Sequence, residues 1–105
     1  MLFRSLIHAL GSPAGAQLTW WVSTPGSAVA LTPAQLRVCT VSGRVIRRIG
    51  FVLPPATRRT ARAGGSQALV RWDLRDDAGR RVPAGRYFAV VEVDGQIVSG
   101  SALVD

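Results

Sequence analysis

The chain has 105 residues, enough for one domain with one modest core, and about half of them are apolar, which excludes the disordered class and a scaffold that needs disulfide staples. Its formal charge is +7, all of the basic residues are arginine, and the single Cys39 excludes an internal disulfide. Eleven glycines and six prolines favour many short elements over a few long helices, and no apolar run is long enough to span a bilayer as a helix.

The opening MLFRSLIHALGSPAGA carries a basic residue, a short apolar run cut by His8, and small residues. It mimics a signal peptide without completing one. Residues 1–15 are expected to be a poorly ordered or short helical leader, or the stub of a longer protein, ahead of a single domain over 16–105. His8 has no companion ligand in sequence.

QLTWWVS alternates: Leu18, Trp20 and Val22 point one way, and Thr19, Trp21 and Ser23 the other. That period predicts a half-buried strand, with Trp20 in the core and Trp21 at an edge or under the leader. TPGS should end it. AVALTPAQ reads as an extended piece followed by a loop at Thr32-Pro33. LRVCTV is the next strand, Ser42-Gly43 a hairpin turn, and RVIRRIGFVL the returning strand. Ile46 and Ile49 stand three apart, so both can face inward only if the strand bends or bulges. Cys39 reads as a small buried hydrophobe.

PPATRRTARAGGS is predicted to be a surface loop. QALVRWD follows as a strand with Ala68, Val70 and Trp72 inward. RYFAVVEV is apolar on both faces, which places it centrally in a sheet. Asp94-Gly95 is a two-residue hairpin signal, and QIVSGSALV is the last strand. Six or seven short antiparallel strands at this spacing predict an all-β, immunoglobulin-like sandwich.

Asp73, Asp76 and Asp77 lie within five residues of one another, in WDLRDDAGRRVPAG. A calcium loop would space its aspartates at alternate positions and add a distant glutamate. This run has neither, and no histidine or cysteine is near it in sequence. Aspartate side chains that accept backbone N–H bonds explain the pattern as turn chemistry, with Gly79 and Gly85 free to adopt positive φ and Pro83 pre-setting its own. Val82, between the two turns, is expected to dip into the core. Ser42 and Ser66 have no base in sequence reach, so no catalytic residue, metal or cofactor is expected.

WDLRDDAGRRVPAGRYFAVVEVDGQ resembles the signature of the Ig-like domain of the flagellar hook-capping protein, which type IX secretion C-terminal sorting domains share. The matching residues are Trp72, Asp73, Asp76, Gly79, Val82, Pro83, Gly85, Tyr87 and Phe88. LRVCTVSGRVIRRI is similar to the same family's hairpin, with Gly43, Ile46 and Ile49 in place. Cys39, Thr40 and Leu74 depart from it: the family commonly has an aromatic residue, an aspartate and a glycine there. The resemblance covers roughly residues 16 to 104. It implies a non-catalytic module for assembly, spacing or secretion recognition, exported to the surface of a bacterium as part of a larger protein, with a protein partner and no small-molecule substrate. The sorting domain is the alternative within the resemblance.

The other class of function is a small basic protein that binds nucleic acid or an anionic surface. The arginines are dispersed along the chain without interleaved aromatics, which argues against a nucleic-acid partner. Arg58, Arg59 and Arg62 read as a solvated loop.

Overall fold

The structure is a computed structural model that describes residues 7–10, 17–25, 31–55, 65–93 and 95–104. It contains seven strands: β1 (Ile7–Leu10), β2 (Leu18–Pro25), β3 (Thr32–Cys39), β4 (Val45–Leu53), β5 (Gly65–Trp72), β6 (Gly85–Val93) and β7 (Gln96–Val104). They form two antiparallel sheets, with strand orders β1-β2-β5 and β4-β3-β6-β7. The chain is therefore all-β, a small sandwich, and no helix occurs among the described residues.

Alternation makes the core. Leu18, Trp20 and Val22 of β2 meet Val70 and Trp72 of β5 on the inner face of one sheet. Leu36, Val38, Tyr87, Ala89, Val91 and Val98 supply the inner face of the other. Trp20 and Trp72 are fully buried and stack at 6.4 Å between ring centroids. Each aromatic removes on the order of 200 Å² from water, so this pair and Tyr87 dominate the burial.

Four details correct the sequence reading. Ile7–Leu10 is a strand rather than a poorly ordered or helical leader: it pairs with Thr19–Val22, and Ile7 is buried in the core. The sandwich thus includes residues before position 16. Thr32 and Pro33 open β3 instead of forming a loop. Among the described residues, β3 before Leu36 has β4 as its only neighbour, an edge setting that tolerates proline. β2 continues through Thr24 and Pro25, and β5 begins at Gly65, two residues earlier than QALVRWD suggests.

The hairpin signals hold. Thr40 and Arg44 close the β3–β4 turn, with Gly43 at φ +88°, and two residues join β6 to β7. β6 lies between β3 and β7, as its two apolar faces require. Trp21 faces outward, half-buried, opposite His8 of β1 in register and beside Leu69 of β5. The loop containing Arg58, Arg59 and Arg62 lies outside the described residues.

Candidate functional site: the aspartate-arginine loop

Residues 74–82, between β5 and β6, fold into a miniature hairpin. Val82 donates its N–H to the Leu74 carbonyl at 2.9 Å, Arg75 and Arg81 form a bridge, and the Asp76 N–H reaches the Arg80 carbonyl at 2.8 Å. Gly79, at φ +84°, closes the tip by donating to the Asp76 carbonyl. An L side chain is disfavoured at that φ, so glycine belongs there.

The three carboxylates build this structure. Asp73 Oδ1 accepts the Arg75 N–H at 3.1 Å. Asp76 Oδ1 accepts the N–H groups of Ala78 at 3.0 Å and Arg80 at 2.9 Å. Asp77 Oδ1 accepts the Arg48 N–H at 3.1 Å, and its Oδ2 accepts from Arg48 Nη1 at 3.2 Å. Each acid is thus turned toward backbone donors rather than toward a shared point. Among the described residues no group of three or more His, Cys, Asp or Glu side chains is placed to hold a metal ion.

The same loop docks on the other sheet. Val38 pairs with Arg47 and Cys39 with Val45, which leaves Ile46 as the extra residue of a bulge on β4. The bulge lets both Ile46 and Ile49 pack partly buried against the core. It also frees the Ile46 carbonyl, which accepts the Asp77 N–H at 2.8 Å. β4 is an edge strand, and Asp77 satisfies two of its backbone groups, at Ile46 and Arg48. An edge capped in this way cannot add another strand at that point.

Arg47 fastens the contact from below. Its Nη1 donates to the Asp76 carbonyl at 3.1 Å, and its Nη2 lies 3.9 Å from Asp73. Its Nε is buried without a hydrogen-bond partner among the described residues, as is Trp20 Nε1. These donors carry a desolvation cost that the surrounding packing must exceed.

The loop's apolar residues turn into the sandwich. The Trp72 indole N–H donates to the Arg75 carbonyl at 2.9 Å, so the indole is tied to the loop it precedes. Tyr87 packs against Trp72 in a T-shaped pair, with centroids 5.5 Å apart, and donates its hydroxyl to the Pro83 carbonyl at 2.7 Å. Val82 is buried between them in sequence. Gly85 opens β6, and Phe88 turns outward, opposite Cys39 and Ser101. Cys39 itself is half-buried.

Three participants escaped sequence reasoning. Arg47 and Arg48 lie on a strand remote in sequence, and no local pattern couples them to Asp73, Asp76 and Asp77. Leu74 is almost completely buried although it sits at φ +62° inside turn chemistry. Its position where relatives of the resembled family carry glycine was the one available signal. The arginines that look dispersed in sequence are also gathered. Arg44, Arg47 and Arg48 flank the start of β4, and Arg75, Arg80 and Arg81 lie on the docked hairpin.

A depression of about 530 Å³ lies over Trp21, Gln67, Ala68 and Leu69 on the outer face of the three-stranded sheet. The described residues that line it include no nucleophile or acid. In comparisons with known proteins, no family model matches the chain and no curated protein aligns with it.

Proposed function

We propose that the chain is a non-catalytic, immunoglobulin-like module of an exported bacterial protein, working in assembly, spacing or recognition at the cell surface. The observation that carries the fold-family part is the Tyr87 hydroxyl on the Pro83 carbonyl, at the start of β6. A tyrosine in this position, bonded a few residues upstream, is a hallmark of immunoglobulin-like sandwiches. The strand orders, with β2 beside β5 and β3 beside β6, support the same reading. A module role agrees with carboxylates that accept backbone N–H bonds and with a core made of the motif's own aromatics.

The sorting-domain form of the family shares the Trp72–Phe88 signature. Gln96–Val104 contains no basic residue, whereas sorting domains frequently carry one there, so spacing or assembly is the preferred reading.

Fractionation of the source cells, with an antibody raised against the chain, tests the proposal. The expected result is a band larger than the chain itself, outside the cytoplasm and removable by protease added to intact cells. Cytosolic protein of the chain's own size, protected from protease, would contradict it.

A further inference from the structure

We propose that one end of the sandwich is a docking surface for an anionic lipid bilayer. This is the end where β3 and β5 finish and β4 and β6 begin. The surface depends on where the strands place the loops and stands apart from the family reading.

Four elements bring arginines to this end. The β3–β4 turn supplies Arg44 and the start of β4 supplies Arg47 and Arg48. The 74–82 hairpin supplies Arg75, Arg80 and Arg81, and the start of β6 supplies Arg86. Among the described residues three aspartates offset them: Asp77 pairs with Arg48, Asp76 with Arg80, and Asp73 with Arg47. Arg44, Arg75, Arg81 and Arg86 are exposed and have no carboxylate partner among the described residues. Arg75 is held outward by its bond to the Gly79 carbonyl. The backbone geometry that closes the loop therefore also engages its own three acids, and leaves the described residues of this end with an excess of positive charge.

The class of partner follows from the arrangement. The four guanidinium groups without a carboxylate are spread over the β3–β4 turn, the 74–82 hairpin, where Arg75 and Arg81 are bridge partners, and the start of β6, which suits an extended anionic surface better than a single phosphate. Apolar residues occupy the loop tips between them: Val41 is 70% exposed in the β3–β4 turn, and Pro83 and Ala84 are exposed just before Arg86. Apolar tips amid cations are what a lipid interface accommodates. The tips carry no aromatic side chain on which an unpaired base could stack, and single-stranded nucleic acid is recognised largely by such stacking.

The test is co-sedimentation of the full chain with vesicles of phosphatidylcholine alone or mixed with phosphatidylglycerol. Binding is expected only to the mixed vesicles, and should fall with added salt. The variant Arg44→Gln/Arg81→Gln is expected to bind about 25-fold more weakly, roughly fivefold for each arginine. The charge-matched variant Gln35→Glu/Gln67→Glu lies several residues along β3 and β5 from this end, beyond a screening length of ~8 Å, and should lose less than about twofold. Val41→Asp should also weaken binding, and unchanged thermal melting establishes that each variant is folded. The proposal is overturned by absent binding, by equal binding to neutral vesicles, or by equal losses in the two charge-matched variants. Tighter binding to duplex DNA than to the mixed vesicles at the same salt would overturn it as well.

Discussion

The Tyr87 and Trp72 rings meet in a T-shaped contact across the two sheets, and each ring also makes one hydrogen bond to the loop between them, at Pro83 and Arg75. Ring packing and loop closure are thus the same structure seen from two sides. Tyr87→Phe keeps the ring and removes the hydroxyl, leaving the Pro83 carbonyl short of a donor. It should cost about 1 kcal/mol in urea unfolding, because the group is partly buried. Trp72→Ala should cost about 3–5 kcal/mol, since it also opens a cavity beside Trp20. Equal costs for the two variants would show that the rings do not form the centre of the core.

Leu74 sets two effects against each other. Its φ of +62° is unfavourable for leucine by ~1–2 kcal/mol, while its side chain is 1% exposed and worth ~3 kcal/mol in place. Burial wins, so Leu74→Gly should destabilise the chain by about 2 kcal/mol although it installs the residue common in the resembled family. Leu74→Ala loses the same packing and keeps the strained φ. It should therefore be less stable than Leu74→Gly by about 1 kcal/mol, a ranking that chemical denaturation can read directly. The reverse ranking would mean that the left-handed conformation is absent in solution.

Gly100 on β7 stands against Ile7 of β1. A Cβ added at Gly100 would collide with the Ile7 carbonyl oxygen and lie 2.7 Å from its carbonyl carbon. The obstacle is backbone, which cannot rotate away. Gly100→Ala should cost at least about 2 kcal/mol. Hydrogen exchange should show β1 losing protection first, while the β6–β7 hairpin stays protected. An unperturbed β1 would mean that this strand does not pack on β7.

Asp76 and Asp77 should differ in weight. The Asp76 side chain is 28% exposed and accepts two backbone N–H groups, so Asp76→Ala should cost ~1–2 kcal/mol. Asp77, at 46% exposure, is more fully screened, and Asp77→Ala should cost less than ~1 kcal/mol. Calcium added in excess should leave the melting temperature of the parent chain unchanged. A saturable rise that disappears in Asp76→Ala would assign the loop to ion binding instead.

Much of this architecture is legible in the sequence where period and turn chemistry act locally. Leu18, Trp20 and Val22 announce an inner face by alternation, and Ser42-Gly43 and Asp94-Gly95 announce hairpins through residues that tolerate positive φ. β1 is hidden because four residues carry too little period, and the segment's composition imitates a leader. Thr32-Pro33 looks like a loop because proline is read against a central strand, whereas this part of β3 has one neighbour among the described residues. The coupling of Asp77 to Ile46 and Arg48 spans 29 residues or more and depends on a bulge, so no local pattern could reveal it. The gathering of arginines at one end is likewise a product of strand topology.

The loop from Asp73 to Pro83 closes the sandwich by fastening Trp72 and Tyr87 inside it. Proton NMR of the purified chain tests it most directly, through the Trp72 indole N–H and its cross-peaks. Strong cross-peaks between the Trp72 and Tyr87 rings are expected, with the indole N–H exchanging slowly with deuterated water. An indole N–H that exchanges at once, without cross-peaks to Tyr87, would contradict it.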